Sequence, residues 1–155
     1  MARQKITTCL WFDTQAEEAA RFYVSVFPDS RIDRVVPGPD GRPLVVEFRL
    51  AGIEFLALNG GPQERFNPAI SLSVDCADQS EIDHLWTGLS AADSRGQCGW
   101  LTDRYGLSWQ IVPSILPELM SDPRRAPAVM QALMQMTKLD MARLQEAGNS
   151  VDLPE

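Results

Sequence analysis

The sequence has few histidine and cysteine side chains that could act as catalytic groups, and they lie far apart along the chain. The single histidine is His84, and the cysteines are Cys9, Cys76 and Cys98. Three cysteines without a Cys-x-x-Cys pair predict neither a disulfide scaffold nor a thiolate zinc site. Cys9 is a potential nucleophile, but no histidine or lysine is evident near it, so we expect a protonated, inert thiol. His84 follows Asp83 on a predicted helix and is expected on its surface.

A second group of side chains is suited to binding a ligand. Alternation along the predicted strands separates an apolar face, which helices are expected to cover, from a face with aromatic and small polar groups, the usual lining of a small-molecule pocket. The covered faces carry Leu10, Phe12, Leu56, Leu58, Ile70, Leu72, Val74, Trp109 and Ile111. The opposite faces carry Cys9 together with the predicted ligand-binding residues Trp11, Phe55, Asn59, Ser71, Ser73, Ser108 and Gln110.

One carboxylate qualifies as an acid or base. Glu47 and Arg49 share a face of the third predicted strand and form either a surface ion pair or two pocket charges, of which we favour the ion pair. Glu47 is the candidate catalytic residue if the protein is an enzyme. Trp100 and Tyr105, on a later hairpin, are expected to pack or to border a subunit interface.

Two similar series of elements position these side chains. The first sixty residues predict strands over 6–12, 32–36, 44–50 and 54–59 and a helix over 15–27, which Thr14 and Glu17 begin as a capping box. After a linker over 61–68 the pattern restarts with a strand over 69–74 and a helix over 80–89, begun by Asp78 and Glu81. Hairpin strands over 98–102 and 107–112 follow, and the strand expected before Gly96 is short or irregular.

The C-terminal segment predicts one long helix over 128–147 that Gly148 closes. Its apolar stripe is too broad for a helix with one face in solvent, so another surface must cover it. A methionine-rich stripe of this kind packs into a core, contacts a second subunit or forms a lid over a ligand. The stripe consists of Val129, Met130, Leu133, Met134, Met136, Leu139, Met141 and Leu144.

This order of elements predicts an α+β fold with two tandem βαβββ units and a C-terminal helix. We expect a single domain over 1–155, made of a unit over 5–60, the linker over 61–68, a unit over 69–113 and a helical tail over 114–155. Hydrophobic residues make up 45% and charged residues 23% of the chain, as in ordinary globular proteins.

The charge of the chain excludes some classes of partner. A formal net charge of -7 argues against nucleic acid and anionic membranes, since both need a basic surface. No apolar stretch is long enough to span a membrane, and no apolar segment follows the N-terminus as in a secretion signal. We therefore expect a protein of the reducing cytoplasm with a small-molecule partner.

Several longer motifs resemble one known family, the PhnB-like branch of the vicinal oxygen chelate superfamily, which includes glyoxalase I, bleomycin resistance proteins and extradiol dioxygenases. This branch often carries the label of a 3-demethylubiquinone 3-methyltransferase domain. The resemblance covers about residues 5–147 and implies one vicinal-oxygen-chelate-type domain that forms a homodimer. The motifs are Cys9-Leu-Trp-Phe-Asp13, Phe22-Tyr-Val-Ser-Val-Phe-Pro28, Glu54-Phe-Leu-Ala-Leu-Asn-Gly-Gly-Pro62, Asn67-Pro-Ala-Ile-Ser71, Val74-Asp75, and Gly96-Gln-Cys-Gly-Trp-Leu101 through Trp109-Gln-Ile-Val-Pro113.

The resemblance also implies where a metal would bind in metal-dependent relatives. The positions of their histidine and glutamate ligands fall on Thr7, Ala57, Ala69 and Gln110. A hydroxyl and a neutral amide do not hold a catalytic divalent ion, so we predict no metal. A SAM-dependent enzyme of the common class needs a glycine-rich loop between a strand and a helix, whereas the paired glycines at 60 and 61 stand in a linker before Pro62. We therefore predict no SAM site and no cofactor.

Three functions are compatible with these features. We favour a homodimer that binds a small, partly aromatic molecule without a metal and without transforming it. The alternative is a metal-independent enzyme that acts on a small aromatic or quinone-like substrate, with Glu47 or a residue of the partner's tail as acid or base. A purely structural role is the third and would be favoured by a cavity filled with side chains.

Overall fold

A computed structural model describes residues 3–92 and 94–152 of the chain. The chain divides into two compact units, Met1–Phe66 and Asn67–Glu155, and the boundary falls in the predicted linker. Over the described residues, seven strands form two sheets, two α-helices accompany the sheets and three more make up a C-terminal tail, which confirms the α+β class. Within the described residues no helix is long and apolar enough to cross a bilayer.

The first unit is a four-stranded sheet covered by one helix. The helix α1 spans Ala16–Val26. The strands lie in the order β1-β4-β3-β2, with β1 parallel to β4 and the other pairs antiparallel. Their bounds are Thr8–Phe12 for β1, Arg31–Pro37 for β2, Pro43–Leu50 for β3 and Ile53–Asn59 for β4.

Aromatic rings fill the space between this sheet and α1. Tyr23 of α1 stacks on Phe48 of β3 at a centroid distance of 6.4 Å, and Phe48 stacks on Phe55 of β4 at 5.5 Å. Leu10 and Phe12 of β1 are buried on the same face, as predicted. These contacts place the core of the first unit under α1.

The predicted facing of β4 is wrong. Phe55 is 8% exposed and belongs to the core, whereas Leu56 and Leu58 lie on the opposite face. The sequence Phe-Leu-Ala-Leu is apolar in both phases of its alternation, so a period of two does not show which phase is buried. Pairing of Leu56 with Glu47 of β3 settles the question, because Glu47 faces away from α1.

The start of α1 also differs from the prediction. Its N-cap is Gln15, which makes no capping hydrogen bond through its side chain, so the capping box at Thr14 is wrong. Instead, Asn59 at the end of β4 accepts a hydrogen bond from the Ala16 N–H at 2.8 Å and donates one to the Pro43 carbonyl at 2.9 Å. A residue distant in sequence thus satisfies one of the free N–H groups of this helix.

The second unit repeats this arrangement with three strands. Strand β5 (Ser71–Cys76) is parallel to β7 (Ser108–Pro113), and β6 (Trp100–Thr102) is antiparallel to β7, in the order β5-β7-β6. Among the described residues, the strand expected before Gly96 is reduced to one bridge between Arg95 and Leu101. The repeat is therefore incomplete, as its irregular sequence suggested.

Helix α2 (Gln79–Leu89) covers one face of this second sheet. Asp78 caps it by accepting a hydrogen bond from the Glu81 N–H at 2.8 Å, as predicted. Ile70, predicted on the covered face, is instead 72% exposed just before β5. The buried residues between α2 and the sheet are Cys76, Ile82, Leu85, Trp86, Leu89, Leu101, Trp109 and Ile111.

The predicted long helix over 128–147 is wrong. The tail consists of α3 (Leu116–Ser121), α4 (Ala126–Leu133), α5 (Met141–Asn149) and a final turn at Ser150–Asp152, so Gly148 lies inside α5. Five residues of the apolar stripe form a buried cluster, Val129, Leu133, Met136, Leu139 and Leu144, and Leu116, Leu119 and Met120 pack against it. The methionine-rich segment thus covers much of its own apolar surface by folding back.

Contacts with the rest of the unit explain the break. The Cys98 and Gly99 N–H groups donate to the carbonyls of Met136 at 2.9 Å and Thr137 at 2.8 Å. The Gln79 side chain of α2 donates to the Leu139 carbonyl at 3.0 Å and accepts from the Met141 N–H at 2.9 Å. These bonds compete with helical ones, and Asp140 then caps α5 through the Arg143 N–H.

Candidate functional site

The face of the second sheet that α2 leaves uncovered carries most of the polar candidates. Strand pairing aligns Ser71 with Ser108 and Thr102, and in the next row it aligns Ser73 with Gln110 and Trp100. Because alternate residues of a strand share a face, both rows point to the same side. We call these six residues the polar face: Ser71, Ser73, Trp100, Thr102, Ser108 and Gln110.

A hydrogen bond orders the polar face. The Gln110 amide nitrogen donates to the Ser71 hydroxyl at 3.0 Å, which fixes the orientation of the amide and leaves its oxygen an acceptor. Ser73 is exposed and Gln110 half-buried, whereas Ser108 is only 3% exposed. Ser108 was predicted to contact a ligand, but its burial makes it part of the floor of this face.

The hairpin loop between β6 and β7 sets the register of these rows. Asp103 is 3% exposed, and its carboxylate accepts hydrogen bonds from the N–H groups of Tyr105 at 2.8 Å and Leu107 at 3.1 Å and from the Trp109 indole at 2.9 Å. These bonds close the loop so that Thr102 pairs with Ser108. Trp100 is thereby placed beside Gln110.

Sequence reasoning missed Trp100 and Thr102 as members of the site. The hairpin was predicted, but the alternation of its short first strand was not extended to the binding face. Counting the loop as five residues from Asp103 to Leu107 would have paired Thr102 with Ser108 and Trp100 with Gln110.

The first sheet holds the remaining aromatic candidate, Trp11. Its indole N–H donates to the Gly61 carbonyl at 3.0 Å, and its ring lies against Gly60, where an added Cβ would be 2.3 Å from the ring. The paired glycines therefore serve as a platform for Trp11. Gly60 covers part of the Trp11 ring, so a ligand can contact only the part of the ring that stays exposed. Phe55 and Asn59, in the core and at the α1 cap, lie on the other side of this sheet.

Glu47 is held in an ion pair rather than poised for proton transfer. Its carboxylate accepts two hydrogen bonds from Arg34 at 2.8 and 3.0 Å, and Arg3 lies 3.5 Å away. The hydrogen bonds from Arg34 lower the pKa of Glu47 below its ordinary value. A carboxylate with a lowered pKa is a poorer general base near neutral pH.

The favoured ion pair of Glu47 with Arg49 is wrong in its partner. Arg49 donates to Asp33 at 3.0 Å and to Glu54 at 2.7 Å. Arg31 also bonds Asp33 at 2.7 Å and is the main cause of a lowered pKa of that carboxyl group. Glu47 and Arg49 thus each form surface ion pairs, as expected, but with other residues and not with each other.

A groove of about 810 Å³ lies in the first unit beside the start of α1. Four acidic side chains line it, but Glu17 pairs with Arg21 at 3.0 Å and Asp40 lies 4.0 Å from Arg42. Of the predicted ligand-binding residues only Asn59 lines it, and both ends of the Asn59 amide are bound to backbone. The groove is therefore an ionic surface rather than the predicted pocket.

The four positions at which the resemblance implies metal ligands do not carry side chains that fit a metal ion. Ala57 is fully buried in the core of the first unit, and Gln110 bonds Ser71. Within the described residues, no three His, Cys, Asp or Glu side chains lie close enough to hold an ion together. Thr7 and Ala69 supply no strong ligand, so the donor set at these positions disagrees with a catalytic divalent ion.

The thiols of Cys9 and Cys76 and the imidazole of His84 are not placed for catalysis either. Partial burial raises the pKa of the Cys9 thiol, and burial raises that of Cys76 to about 12, so both thiols are protonated at neutral pH. His84 is exposed on α2, as expected.

Comparisons with known proteins agree with this architecture. Crystal structures of protein PA1353 from Pseudomonas aeruginosa and of a glyoxylase/bleomycin resistance protein/dioxygenase domain from Frankia sp. EAN1pec share the fold, with TM-scores of 0.58 and 0.51 and identities of 18% and 13%. Each comparison covers 72% of this chain and, respectively, 98% and 93% of the other. A comparison with curated proteins gives no significant match.

Two findings concern the family. A PhnB protein from Bacillus cereus, which bears a 3-demethylubiquinone-9 3-methyltransferase description, is 34% identical with a TM-score of 0.66 over 71% of this chain and 99% of its own. A family model described as 3-demethylubiquinone-9 3-methyltransferase matches residues 4–112 and ends before the helical tail. The chain therefore belongs to this PhnB-like family.

Proposed function

We propose that this chain binds a small, uncharged ring compound on the polar face of its second sheet, without a metal ion. The carrying observation is the row of Ser73, Gln110 and Trp100 beside the Ser71–Gln110 hydrogen bond. The amide oxygen of Gln110 and the exposed hydroxyl of Ser73 supply directional hydrogen bonds, and the indole of Trp100 supplies a flat apolar surface. This combination is typical of small-molecule sites.

The composition of the polar face indicates the class of ligand. Its six members are hydroxyls, one carboxamide and one indole, so a charged ligand would find no counter-ion among them. A ring with carbonyl or hydroxyl substituents matches all three kinds of group. We take binding without a chemical step as the function, since the candidate base, Glu47, is already bound to Arg34 and has a lowered pKa.

A binding screen tests this proposal. Uncharged mono- and bicyclic phenols and quinones are screened by thermal shift, and the best binder is titrated calorimetrically. Gln110→Leu and Ser73→Ala should each weaken its binding about tenfold, the effect of one lost hydrogen bond. Gln131→Leu, an exposed position in the tail, is the matched control and should bind as the unmodified protein does. Equal affinity of all variants, or no binder in the screen, would refute the site.

We also propose that the protein forms a homodimer through the first unit. Ile6 and Ile53 are 84% and 54% exposed, and both adjoin the contact in which the Gln4 amide bonds the Glu54 backbone. Exposed isoleucines at one end of a sheet suit an apolar contact with a second copy. Light scattering after gel filtration should give twice the mass of one chain, and Ile53→Lys should shift it to the monomer. Leu44→Lys, at another exposed position, should leave the dimer intact.

We place the protein in the cytoplasm. The free thiols of Cys9, Cys76 and Cys98 support a reducing compartment. Fractionation of cells that produce the full-length protein should recover it with cytoplasmic markers, and recovery with an extracellular fraction would contradict this location.

A further inference from the structure

Two sulfur atoms from distant parts of the second unit lie side by side. The Cys98 Sγ is 3.8 Å from the Met134 Sδ and 3.7 Å from the Leu133 carbonyl oxygen. Cys98 precedes β6, whereas Met134 follows α4 in the tail, so the contact joins residues 36 positions apart. Neither sulfur belongs to the polar face.

The backbone holds this pair in position. The N–H groups of Cys98 and Gly99 are bonded to the Met136 and Thr137 carbonyls at 2.9 and 2.8 Å, which anchors the loop to the chain just after Met134. Cys98 has a φ of 60° and Gly99 a φ of 83°, and a Cβ at Gly99 would lie 2.8 Å from the Ile111 carbonyl. The Ile111 N–H of β7 also donates to the Gly99 carbonyl at 2.8 Å, so the loop is held between the tail and β7 and the thiol stays beside Met134.

Solvent reaches the pair. The Met134 side chain is 53% exposed although five other apolar residues of the tail are buried, and Cys98 is partly exposed. An ion can thus approach both sulfur atoms without opening the core.

We propose that Cys98 and Met134 form a two-sulfur binding site for a soft monovalent ion of the Cu(I) class. Thiolate and thioether ligands select such ions over hard divalent cations. With metal–sulfur bonds of about 2.3 Å, sulfur atoms 3.8 Å apart subtend an angle of about 110° at a shared ion, which leaves room for a third ligand from solvent. On binding, the thiol releases its proton to the buffer and the oxidation state of the ion does not change.

Competition with a chelator tests the proposal. The full-length protein, reduced and without oxygen, is titrated with Cu(I) against bicinchoninate and should retain one ion per chain. Cys98→Ser should abolish retention. Met134→Leu should weaken copper affinity about 100-fold, because loss of a direct ligand should cost at least as much as loss of a residue that hydrogen-bonds a ligand. The matched controls are Cys9→Ser, which removes another exposed thiol, and Met130→Leu, which changes another exposed methionine of the tail; both should bind normally.

A spectroscopic measurement identifies the thioether directly. In protein labelled with selenomethionine, X-ray absorption of bound copper should show a copper–selenium distance that Met134→Leu removes and Met130→Leu keeps. Because the Met134 side chain is exposed, Met134→Leu should fold even if Cys98→Ser does not. Complete loss of copper to the chelator, or retention by Met134→Leu equal to that of the unmodified protein, would overturn the site.

Discussion

Asp103 shows how one buried carboxylate can set the geometry of a site it does not touch. Its oxygens accept hydrogen bonds from two backbone N–H groups of the hairpin loop and from the Trp109 indole. Leu107 and Trp109 are both buried, and a buried donor that loses its acceptor is costly. Asp103 therefore fixes the pairing of β6 with β7 and, through it, the position of Trp100 beside Gln110.

Removal of this carboxylate should be costly. Asp103→Ala removes the carboxylate that accepts hydrogen bonds from the buried Leu107 N–H and Trp109 indole, and we expect it to lower the free energy of unfolding by about 3 kcal/mol. Urea unfolding followed by fluorescence measures the change. Asp75→Ala, at an exposed position of β5, should stay within about 0.5 kcal/mol. Equal unfolding midpoints for the two variants would show that the loop does not depend on Asp103.

Gly60 has a role that only its missing side chain allows. A Cβ there would lie 2.3 Å from the Trp11 ring, so Gly60→Ala must displace the indole and weaken its bond to the Gly61 carbonyl. We expect a loss of about 2 kcal/mol of stability, as for overpacking in a core. At Gly38 the nearest atom to an added Cβ is 3.4 Å away, so Gly38→Ala is the matched control.

A double-mutant cycle separates this contact from other effects of Gly60→Ala. In a Trp11→Ala background the clash is absent, so Gly60→Ala should then cost less than half of its effect in the unmodified protein. Equal costs in both backgrounds would place the strain elsewhere.

At the scale of elements, the sequence predicts what is repeated and local. Strands β1, β3, β4, β5 and β7 and helices α1 and α2 were expected close to their observed bounds, because each has a clear period and a turn or cap at its ends. Ser71, Ser73 and Gln110 were correctly placed on one face, since polar and apolar residues alternate along β5 and over 108–111 of β7. Whether they bind a ligand stays a prediction.

The failures at this scale have a common cause in contacts between distant residues. Phe55 was assigned to the wrong face because both phases of β4 are apolar, and Asn59 was not recognised as the cap of α1 because it is 43 residues away from Ala16. The tail helix breaks because Cys98, Gly99 and Gln79 take up backbone groups that a continuous helix would use. None of these bonds has a signal in local sequence.

Gln79 provides a test of this explanation for the tail. Gln79→Leu removes both hydrogen bonds to the segment between α4 and α5, and we expect a loss of about 2 kcal/mol together with faster amide exchange over residues 134–149. Residues of the first unit should keep their protection. Gln135→Leu, at an exposed position of the same segment, is the control. Unchanged exchange in Gln79→Leu would mean that other contacts hold the break.

At the scale of the whole molecule, charge is unevenly divided. The first unit carries eight basic and nine acidic residues, whereas the second carries six basic and twelve acidic ones, so nearly all of the net charge of -7 belongs to the second. Most ion pairs of the described residues lie in the first unit. Repulsion between like charges is therefore concentrated in the second unit, and attraction between opposite charges in the first.

Glu47 allows the contribution of one ion pair of the first unit to the free energy of unfolding to be measured. Arg34 lowers its pKa in the folded protein, so the folded state binds fewer protons than the unfolded state in that range, and stability must rise with pH. The contribution is complete above the ordinary pKa of a glutamate, about 4.3, and is lost as pH falls through the lowered value. Glu47→Gln should thus be less stable than the unmodified protein at pH 7, by at most about 1 kcal/mol for so accessible a pair, and equally stable near pH 2.

Thermal unfolding between pH 7 and pH 2 tests this expectation. Glu64→Gln, which neutralises an exposed glutamate of the same unit, should give a curve parallel to that of the unmodified protein, because it removes charge without removing the Arg34 contact. A difference between Glu47→Gln and the unmodified protein that stays constant with pH would instead show that the two side chains differ in packing. In that case the ionised carboxylate of Glu47 would contribute nothing to the stability of the sheet.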